Sequence, residues 1–471
     1  MDLAVKNSIK PKNGDRAVVI GGSIAGMLAA RVLADHFTSV TIVETDKLPE
    51  NAIARSGVPQ SVQPHVLFTK GYRILEQLFP NIGDELSAAG ALTIDWLREF
   101  HHFIHGGWSA KAESASDLVS FTCSRPLLES AIRSRLADFA NVQFMEKHRV
   151  TGLLLNSSND INGVCLRPIG GTNQEELSAT LVVDAGGRRS QAPQWLESLG
   201  FTPPPETVVN PYLGYATRRY REPEGFEPDW KVMLISHSPP DGNRLGYLAR
   251  IEGGEWIATL GGYGGDFPPL NNEGFLEFAR SLPSLKFYEA IKQAEPVSPI
   301  YAHRATANRL RHYEKVTIPE GFVSLGDAVC ALCPVYGQGM TLSALSAMLL
   351  QQELGKPRRL NSSSFQKDLA KSNSMHWSSA TTQDSGFPTT KRLPEIPGQN
   401  KAVRLTQLMR WYTKQLQSGA NSDPDLHALM MQVGHILKSP LVLYHPKVVW
   451  RIIKGSRKLE VAHSKVKTSD K

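Results

Sequence analysis

The chain has 471 residues and a formal net charge of +7, with 41% hydrophobic and 21% charged residues. This length suits two or three domains with sizeable cores, and the composition is typical of a soluble globular protein. Four cysteines are too few for a disulfide framework, and no stretch reads as a signal peptide or a transmembrane helix, so we expect a cytoplasmic protein. Much of the basic charge lies near the C-terminus without any nucleic-acid-binding motif, so we predict no nucleic-acid partner.

The clearest pattern covers residues 16–46 (RAVVIGGSIAGMLAARVLADHFTSVTIVETD). An apolar, β-branched run at 17–20 predicts a buried strand, and a glycine-rich turn follows at 21–26. A helical pattern then runs over 27–36, and a second apolar strand is predicted at 40–43. This order of strand, turn, helix and strand is the context in which a glycine-rich turn binds a dinucleotide.

Each part of this unit has a physical role. Gly21 allows the tight turn, and Gly26 lets the helix pack closely, so that free amides at the helix start can hold a pyrophosphate. Glu44 follows Gly26 by 44 − 26 = 18 residues, close to the ~20 expected of a carboxylate that binds ribose hydroxyls. Ser23 replaces the middle glycine, where the backbone must approach the phosphate. The alternative is a turn that needs glycine only for packing.

The next part of the chain alternates helices and short strands. A polar, turn-rich stretch at 48–64 precedes predicted helices at 66–78 and 83–89. Residues 92–108 look extended and contain three histidines that have no further ligand at useful spacing, so we predict a surface or cleft wall and no metal site. Ser124 is a suitable N-cap for another helix.

The composition and the predicted secondary structure change in the middle of the chain. Short strands are predicted between 142 and 183, and prolines, aromatic residues and alternating strands dominate 203–265, which indicates a mostly antiparallel sheet inserted between α/β segments. Helix returns at 273–294. A buried strand at 322–327 ends at a carboxylate, and a helix follows to about residue 350. Residues 361–399 are rich in Ser and Thr and loosely patterned, and two or three helices are predicted to follow them.

Three separated stretches indicate one cofactor site. They are the opening unit, residues 184–190 (DAGGRRS) after a strand, and residues 326–339, which contain Gly-Asp and then PVYGQG. A carboxylate at a strand end can accept hydrogen bonds from ribityl or ribose hydroxyls. The glycines after it let backbone amides reach a flavin ring at a helix N-terminus.

These motifs resemble those of the class A FAD-dependent monooxygenases, the para-hydroxybenzoate hydroxylase superfamily. Residues 55–60 (RSGVPQ) with His65, residues 123–129 (CSRPLLE) and residues 326–340 are similar to bacterial polyether-type olefin epoxidases and related natural-product hydroxylases. The resemblance spans about residues 15–350 and continues more weakly through the C-terminal helices. It implies FAD, NADPH or NADH as reductant, and molecular oxygen.

The expected fold is α/β, with a Rossmann-like FAD-binding domain, an inserted and mostly antiparallel β-sheet substrate domain, and C-terminal helices. The FAD-binding domain is predicted to comprise residues 15–90, 118–200 and 301–360. The substrate domain is predicted to comprise residues 91–117 and 201–300, and the C-terminal helical region with its basic tail residues 361–471.

The resemblance also implies site residues. The ADP half of FAD would be held by Gly21, Ser23, Gly26 and Glu44. The phosphates or the ring edge would lie near Arg55 and Arg125. Asp184 belongs to the motif shared by FAD and nicotinamide binding, and Asp327 would contact the pyrophosphate or ribityl chain. The flavin ring would be lined by Gly337, Gly339 and Met340. Gln63 stands where epoxidase-like members often have His. No catalytic side chain is assigned.

The implied reaction is epoxidation or hydroxylation of a small apolar natural-product-type substrate through a flavin C4a-hydroperoxide. No single base stands out, which favours an alkene or an apolar polycyclic substrate. The alternatives are an FAD-dependent reductase or dehydrogenase of an isoprenoid-type substrate and a flavin-dependent halogenase, although the Trp-x-Trp-x-Ile-Pro signature of many halogenases is absent. The basic segment 448–454 is either a docked helix or a contact with an anionic membrane. The sequence does not indicate an oligomeric state.

Overall fold

The computed structural model describes residues 14–55, 57–240, 242–395 and 403–452. The predicted basic tail from Lys454 onward lies outside the described residues. None of the described helices is long and apolar enough to cross a membrane.

Within these ranges the strands, in chain order, are β1 (Arg16–Ile20), β2 (Ser39–Val43), β3 (Leu92–Asp95), β4 (Phe100–Ile104), β5 (Gly107–Trp108), β6 (Val119–Thr122), β7 (Val142–Met145), β8 (His148–Leu155), β9 (Ile161–Pro168), β10 (Glu175–Ser178), β11 (Leu181–Asp184), β12 (Glu206–Asn210), β13 (Gly214–Arg221), β14 (Val232–Ile235), β15 (Arg244–Ile251), β16 (Glu255–Gly262), β17 (Tyr301–His303), β18 (Asn308–Arg311), β19 (Phe322–Ser324), β20 (Cys330–Ala331) and β21 (Lys391–Leu393). The α-helices are α1 (Ile24–Ala34), α2 (Thr69–Leu78), α3 (Ile82–Ala88), α4 (Arg125–Ala137), α5 (Ala192–Ser198), α6 (Asn272–Arg280), α7 (Lys286–Ile291), α8 (Gly339–Leu354), α9 (Ser362–Asp384), α10 (Val403–Gly419) and α11 (Pro424–Gly434).

The first sheet is parallel throughout, with strand order β19-β11-β1-β2-β7. Its strands are apolar on both faces, as a parallel sheet covered by helices requires. In β1, for example, Ala17, Val18 and Val19 have no exposed surface. Helices α1, α4 and α8 contribute to the same core. This confirms the predicted Rossmann-like unit, in which the strand ends that precede Gly21, Glu44 and Ala185 lie at one edge of the sheet.

The second large sheet has the order β17-β13-β16-β15-β14-β4-β5. All its neighbours are antiparallel except β14 and β4, which pair in parallel. One face packs on α6 and α7 through Trp256, Phe275 and Phe287, all completely buried. The other face is turned towards the rest of the molecule. Its apolar side chains form a hydrophobic cluster with residues from the loop before α2 and from α11. The predicted, mostly antiparallel inserted sheet is confirmed.

Two predictions of local structure are wrong. The loosely patterned stretch 361–399 was assigned no helix of its own, but α9 occupies residues 362–384 of its described part. Asn361 caps α9 by accepting a hydrogen bond from the Ser364 amide. Phe365 and Leu369, on the inner face of this helix, are completely buried. The helix predicted at 273–294 is two helices, α6 and α7, with Pro283 in the break between them.

Candidate cofactor site and adjoining cleft

The turn after β1 has room only for glycine at two positions. Gly21 has φ +100°, and a Cβ there would lie 2.7 Å from the carbonyl oxygen of Ala185 at the end of β11. A Cβ on Gly26 would lie 1.9 Å from the carbonyl oxygen of Gly21. The start of α1 is therefore held directly against the turn, in a geometry that side chains at these two positions would prevent.

The N-terminus of α1 is open to an anion. The N-cap residue Ser23 has extended backbone angles, but its side chain makes no capping hydrogen bond, and the first turn of α1 carries no acidic residue. Among the described residues, no side chain is recorded as an acceptor for the N–H groups of this turn. Together with the helix dipole, they make the kind of site that binds a pyrophosphate.

Glu44 lies directly after β2 and reaches back to the glycine turn. Its Oε2 accepts a hydrogen bond from the Gly22 amide at 2.9 Å and lies 3.1 Å from Nη1 of Arg55. Its Oε1 accepts from the Thr45 hydroxyl and the Asp46 amide, both at 3.0 Å. Because a carboxylate offers about four acceptor positions, a ribose hydroxyl can bind Glu44 only by replacing one of these donors.

Arg55 and Arg125 both reach the glycine turn. Nη2 of Arg55 donates to the Gly22 carbonyl oxygen at 3.2 Å, and Nη2 of Arg125 donates to Oγ of Ser23 at 2.8 Å. Glu129 lies between the two guanidinium groups, 3.4 Å from Arg55 Nε and 2.8 Å from Arg125 Nη2. The structure thus brings Ser23, Arg55 and Arg125 together at the start of α1, although they are far apart in the sequence.

The charges in this network stabilise one another. Burial raises the pKa of Glu129, but Arg125, Arg55 and the Ser23 hydroxyl outweigh it, so the pKa is lowered overall. Burial likewise lowers the pKa of Arg55, but the neighbouring carboxylates raise it above its usual value. Glu129 was not predicted as a site residue. Its spacing of four residues from Arg125 on α4, which places both on one helix face, was the available signal.

Asp184 has a structural environment. Its Oδ2 accepts hydrogen bonds from the hydroxyls of Ser190 at 2.6 Å and Ser324 at 2.8 Å, and its Oδ1 accepts from the Gly186 amide at 3.0 Å. The side chain has no exposed surface, and burial raises its pKa. These contacts tie the ends of β11 and β19 together, so contact between Asp184 and a cofactor remains a prediction.

Asp327, by contrast, is turned to an open space. It lies in the turn Gly326–Ala328 after β19, and about 41% of its side chain is exposed. Its Oδ2 is 3.9 Å from Nε of Arg188, and its Oδ1 is 3.9 Å from the position of a Cβ on Gly339. Desolvation raises the pKa of Asp327, while Arg188 and Arg125 oppose this shift. Asp327 and the start of α8 therefore flank one space.

The segment of residues 334–340, which we call the ring loop, leads into α8. Gly337 has φ +64° after the turn Pro334–Tyr336, and Met340 is buried in the first turn of the helix, which begins at Gly339. As in α1, the N-cap side chain, here Gln338, makes no capping bond and the first turn contains no acidic residue. A second helix N-terminus with available N–H groups therefore stands beside Asp327.

A buried carboxylate holds the ring loop in place. The Tyr336 hydroxyl donates to Oδ1 of Asp384 at 2.5 Å, and Nδ2 of Asn308 donates to Oδ2 at 2.5 Å. The Cys333 amide donates to Oδ1 of Asn308 at 2.7 Å. Burial raises the pKa of Asp384 to about 6, against the opposing effect of its donors. Asp384 was not predicted as a site residue, because it lies in the loosely patterned stretch 361–399, to which no helix was assigned.

The inner face of the antiparallel sheet lies across from the loop before α2. Residues directly opposite each other share a face, and the pairing places Leu234, Tyr247, Thr259 and Thr217 in one row across β14, β15, β16 and β13. Leu234 and Tyr247 are only half-buried and belong to a cluster that also includes Val66. We call this half-buried part of the sheet face, together with the facing loop before α2, the cleft.

The C-terminal region closes one side of the cleft. Ala428 and Met431 of α11 pack against the same cluster, and His435 lies just beyond that helix. Nδ1 of the buried His435 accepts hydrogen bonds from the Thr69 amide at 3.2 Å and the Thr69 hydroxyl at 2.9 Å, at the start of α2. This contact could not be predicted from the sequence, because it joins residues 366 positions apart.

Histidines near the cleft are weak bases. Burial lowers the pKa of His65 to about 3, with a further contribution from Arg125, and lowers the pKa of His102 to about 3 and of His237 to about 4. Among the described residues, no group of three or more His, Cys, Asp or Glu side chains is arranged to hold a metal ion. The candidate site comprises the N-termini of α1 and α8, the arginines beside them, the partly exposed carboxylate of Asp327 and the apolar cleft.

Comparisons with known proteins agree with this architecture. No protein-family model matches the chain. Protein Rv3254 of Mycobacterium tuberculosis (strain ATCC 25618 / H37Rv) is 33% identical over 377 residues, which cover 76% of this chain and 75% of that protein.

Similar solved structures include flavin-dependent brominase Bmp2 (TM-score 0.61, 12% identity, 95% of this chain and 100% of that one) and the flavin-dependent halogenase CmlS (TM-score 0.61, 16% identity, 89% and 76%). Another is p-nitrophenol 4-monooxygenase PnpA from Pseudomonas putida DLL-E4 (TM-score 0.60, 16% identity, 89% and 97%). The chain therefore belongs to the same family as Protein Rv3254 and has the fold of the FAD-dependent monooxygenase superfamily.

Proposed function

We propose that the chain is an FAD-dependent monooxygenase that uses NAD(P)H and O2 to epoxidise or hydroxylate an apolar natural-product-type substrate. The observation that carries this proposal is the pair of open helix N-termini, one at the glycine turn and one beside Asp327. Two such sites suit a ligand with a pyrophosphate and a second electron-rich end. The similarity to flavin-dependent monooxygenases supports the same ligand. An epoxidase-like specificity, NADPH as reductant and a cytoplasmic location belong to this proposal.

The residues present fit FAD. The first-turn amides of α1 and the side chains of Arg55 and Arg125 would hold the pyrophosphate, with Glu44 accepting from the ribose once a present donor is displaced. Asp327 would accept a hydrogen bond from a hydroxyl of the ribityl chain. The amides at Gly339 and Met340 would stabilise negative charge on the ring edge, and Gly337 leaves the backbone close enough to approach it.

When bound, FAD would supply the redox chemistry and the activation of O2, and the protein would orient the substrate and exclude water. The cleft is bordered by the apolar side chains of Val66, Leu234 and Tyr247 and by α11, so an apolar substrate is the kind of molecule that these side chains would contact. The low pKa values of His65 and His102 leave neither poised as a general base near neutral pH. This favours a substrate that needs no deprotonation.

The test combines three measurements on the purified protein reconstituted with FAD. We expect NAD(P)H oxidation to consume O2, to accelerate when substrate is added, and to give a product heavier by one oxygen atom in a mass-spectrometric screen of alkenes and polycyclic compounds. Asp327→Ala is the comparison variant, because at FAD concentrations near the dissociation constant of the unmodified protein it should bind less FAD and lower all three signals together. Oxygen-independent turnover of a double bond would instead support the reductase alternative, and halide-dependent product formation the halogenase.

A further inference from the structure

Gln63 carries a buried donor without an acceptor. It follows the short turn Pro59–Val62, and only 6% of its surface is exposed. Its Oε1 accepts a hydrogen bond from the Thr217 hydroxyl at 2.5 Å, whereas its Nε2 has no hydrogen-bond partner among the described residues. Buried amide groups in native proteins are almost always paired, so an unpaired one indicates a missing partner.

A chain of two threonine hydroxyls contacts one end of this amide. The Thr217 hydroxyl has one proton and donates it to Gln63, so Thr259, whose hydroxyl oxygen is 2.6 Å from that of Thr217, must donate to Thr217. Both threonines are buried. With Oε1 accepting from Thr217, both Nε2 protons are left for another acceptor.

The position of Gln63 joins the cleft to the ring loop. Thr217 and Thr259 lie in the same row of the sheet as the half-buried Tyr247. On the other side, Val66 and Phe68, only a few residues beyond Gln63, are within 3.4 Å of the position of a Cβ on Gly337. The amide therefore contacts the sheet face that would meet substrate, and the segment that carries it continues to the loop that would line the flavin ring.

We infer that Nε2 of Gln63 donates a hydrogen bond to a carbonyl oxygen of the substrate. The inference rests on the proposed function, and it narrows the substrate class from a pure hydrocarbon to an apolar molecule that carries a carbonyl acceptor. A rigid donor in an apolar cleft selects strongly for such a group, because a ligand without it leaves the buried N–H groups unpaired. Thr217 and Thr259 are positioning residues that act through Gln63.

The experiment compares a ketone with a hydrocarbon of nearly the same shape. Binding of 2-acetonaphthone and 2-isopropylnaphthalene is measured by equilibrium dialysis, which gives a signal whether or not FAD is bound. In the unmodified protein we expect the ketone to bind about tenfold more tightly. Gln63→Met, which keeps the length of the side chain but removes the amide, should abolish that preference, whereas Gln63→His should retain most of it because imidazole can also donate.

Thr217→Val supplies a third variant, which should reduce the preference while leaving the amide in place. FAD affinity, measured separately, should change less than threefold in all three variants. Equal binding of the two probes to the unmodified protein would overturn the inference, as would a preference that survives in Gln63→Met. A tenfold loss of FAD affinity in Gln63→Met would also overturn it, by assigning the amide to the cofactor. Failure of the proposed function would appear differently, as absent FAD binding or absent oxygen consumption.

Discussion

Gly26→Ala should weaken FAD binding by displacing the start of α1. The added Cβ would lie 1.9 Å from the Gly21 carbonyl oxygen, whereas ordinary contacts begin at 3.4 Å, so the helix and the turn must separate by 3.4 − 1.9 = 1.5 Å. Hydrogen bonds of about 2.9 Å do not survive such a displacement. Two amide bonds to a charged phosphate, each contributing about 1.5–3 kcal/mol, correspond to a loss of affinity of at least about a hundredfold.

The assay is titration of the apo-protein with FAD, followed by flavin fluorescence, together with a thermal melt of the same sample. The matched control is Gly434→Ala, since a Cβ on that helical glycine meets no atom within 4 Å. It should leave FAD affinity unchanged and should not lower the melting temperature. FAD affinity within threefold of the unmodified protein in Gly26→Ala would refute the reasoning about the turn.

Three further predictions concern single side chains. Asp327→Ala should lower FAD affinity by about ten- to a hundredfold through loss of a charge-assisted hydrogen bond. Unchanged FAD affinity in this variant would show that FAD does not bind beside Asp327. His435 has a folded-state pKa of about 3 because it is buried, so its folded form takes up no proton between pH 6.5 and 3 while the unfolded chain does, and stability falls as the pH falls through that window. Between pH 7.5 and 5.0 this costs about 2 kcal/mol, and urea unfolding of His435→Ala should show a pH dependence smaller by that amount; an unchanged dependence would contradict the burial argument. The contribution of Asp384 to stability depends on pH in the opposite direction. Burial raises its pKa from 3.8 to about 6, so between these values the folded form holds a proton that the unfolded chain has lost. Stability should therefore fall by about 1.4 kcal/mol as the pH rises from 5.0 to 7.5, and equal pH dependence in Asp384→Asn, measured by the same unfolding experiment, would count against it.

The glycine turn could be predicted because its signal is local. The β-branched run before Gly21, the helix after it and Glu44 beyond it all lie within one short segment, and each has a single physical explanation. The convergence of Ser23, Arg55 and Arg125 could be expected only through the resemblance. Nothing in the composition of the three segments fixes the distances between them.

The parts that were missed depend on long-range packing. Asp384 and its helix α9 were hidden because the polar residues of that segment obscure the buried Phe365 and Leu369, whose burial requires the neighbouring β19 and α8. The contribution of α11 to the cleft was missed for a similar reason, since His435 meets Thr69 only after the whole chain has folded. The unpaired Nε2 of Gln63 is a property of three-dimensional contacts alone.

The central claim is that the start of α1 and the ring loop together hold FAD. The most direct measurement is the stoichiometry of FAD bound to the purified full-length chain after incubation with excess cofactor and gel filtration, read from the visible flavin absorbance. We predict one FAD per chain, released on unfolding. Absence of flavin absorbance both before and after addition of FAD would contradict the account.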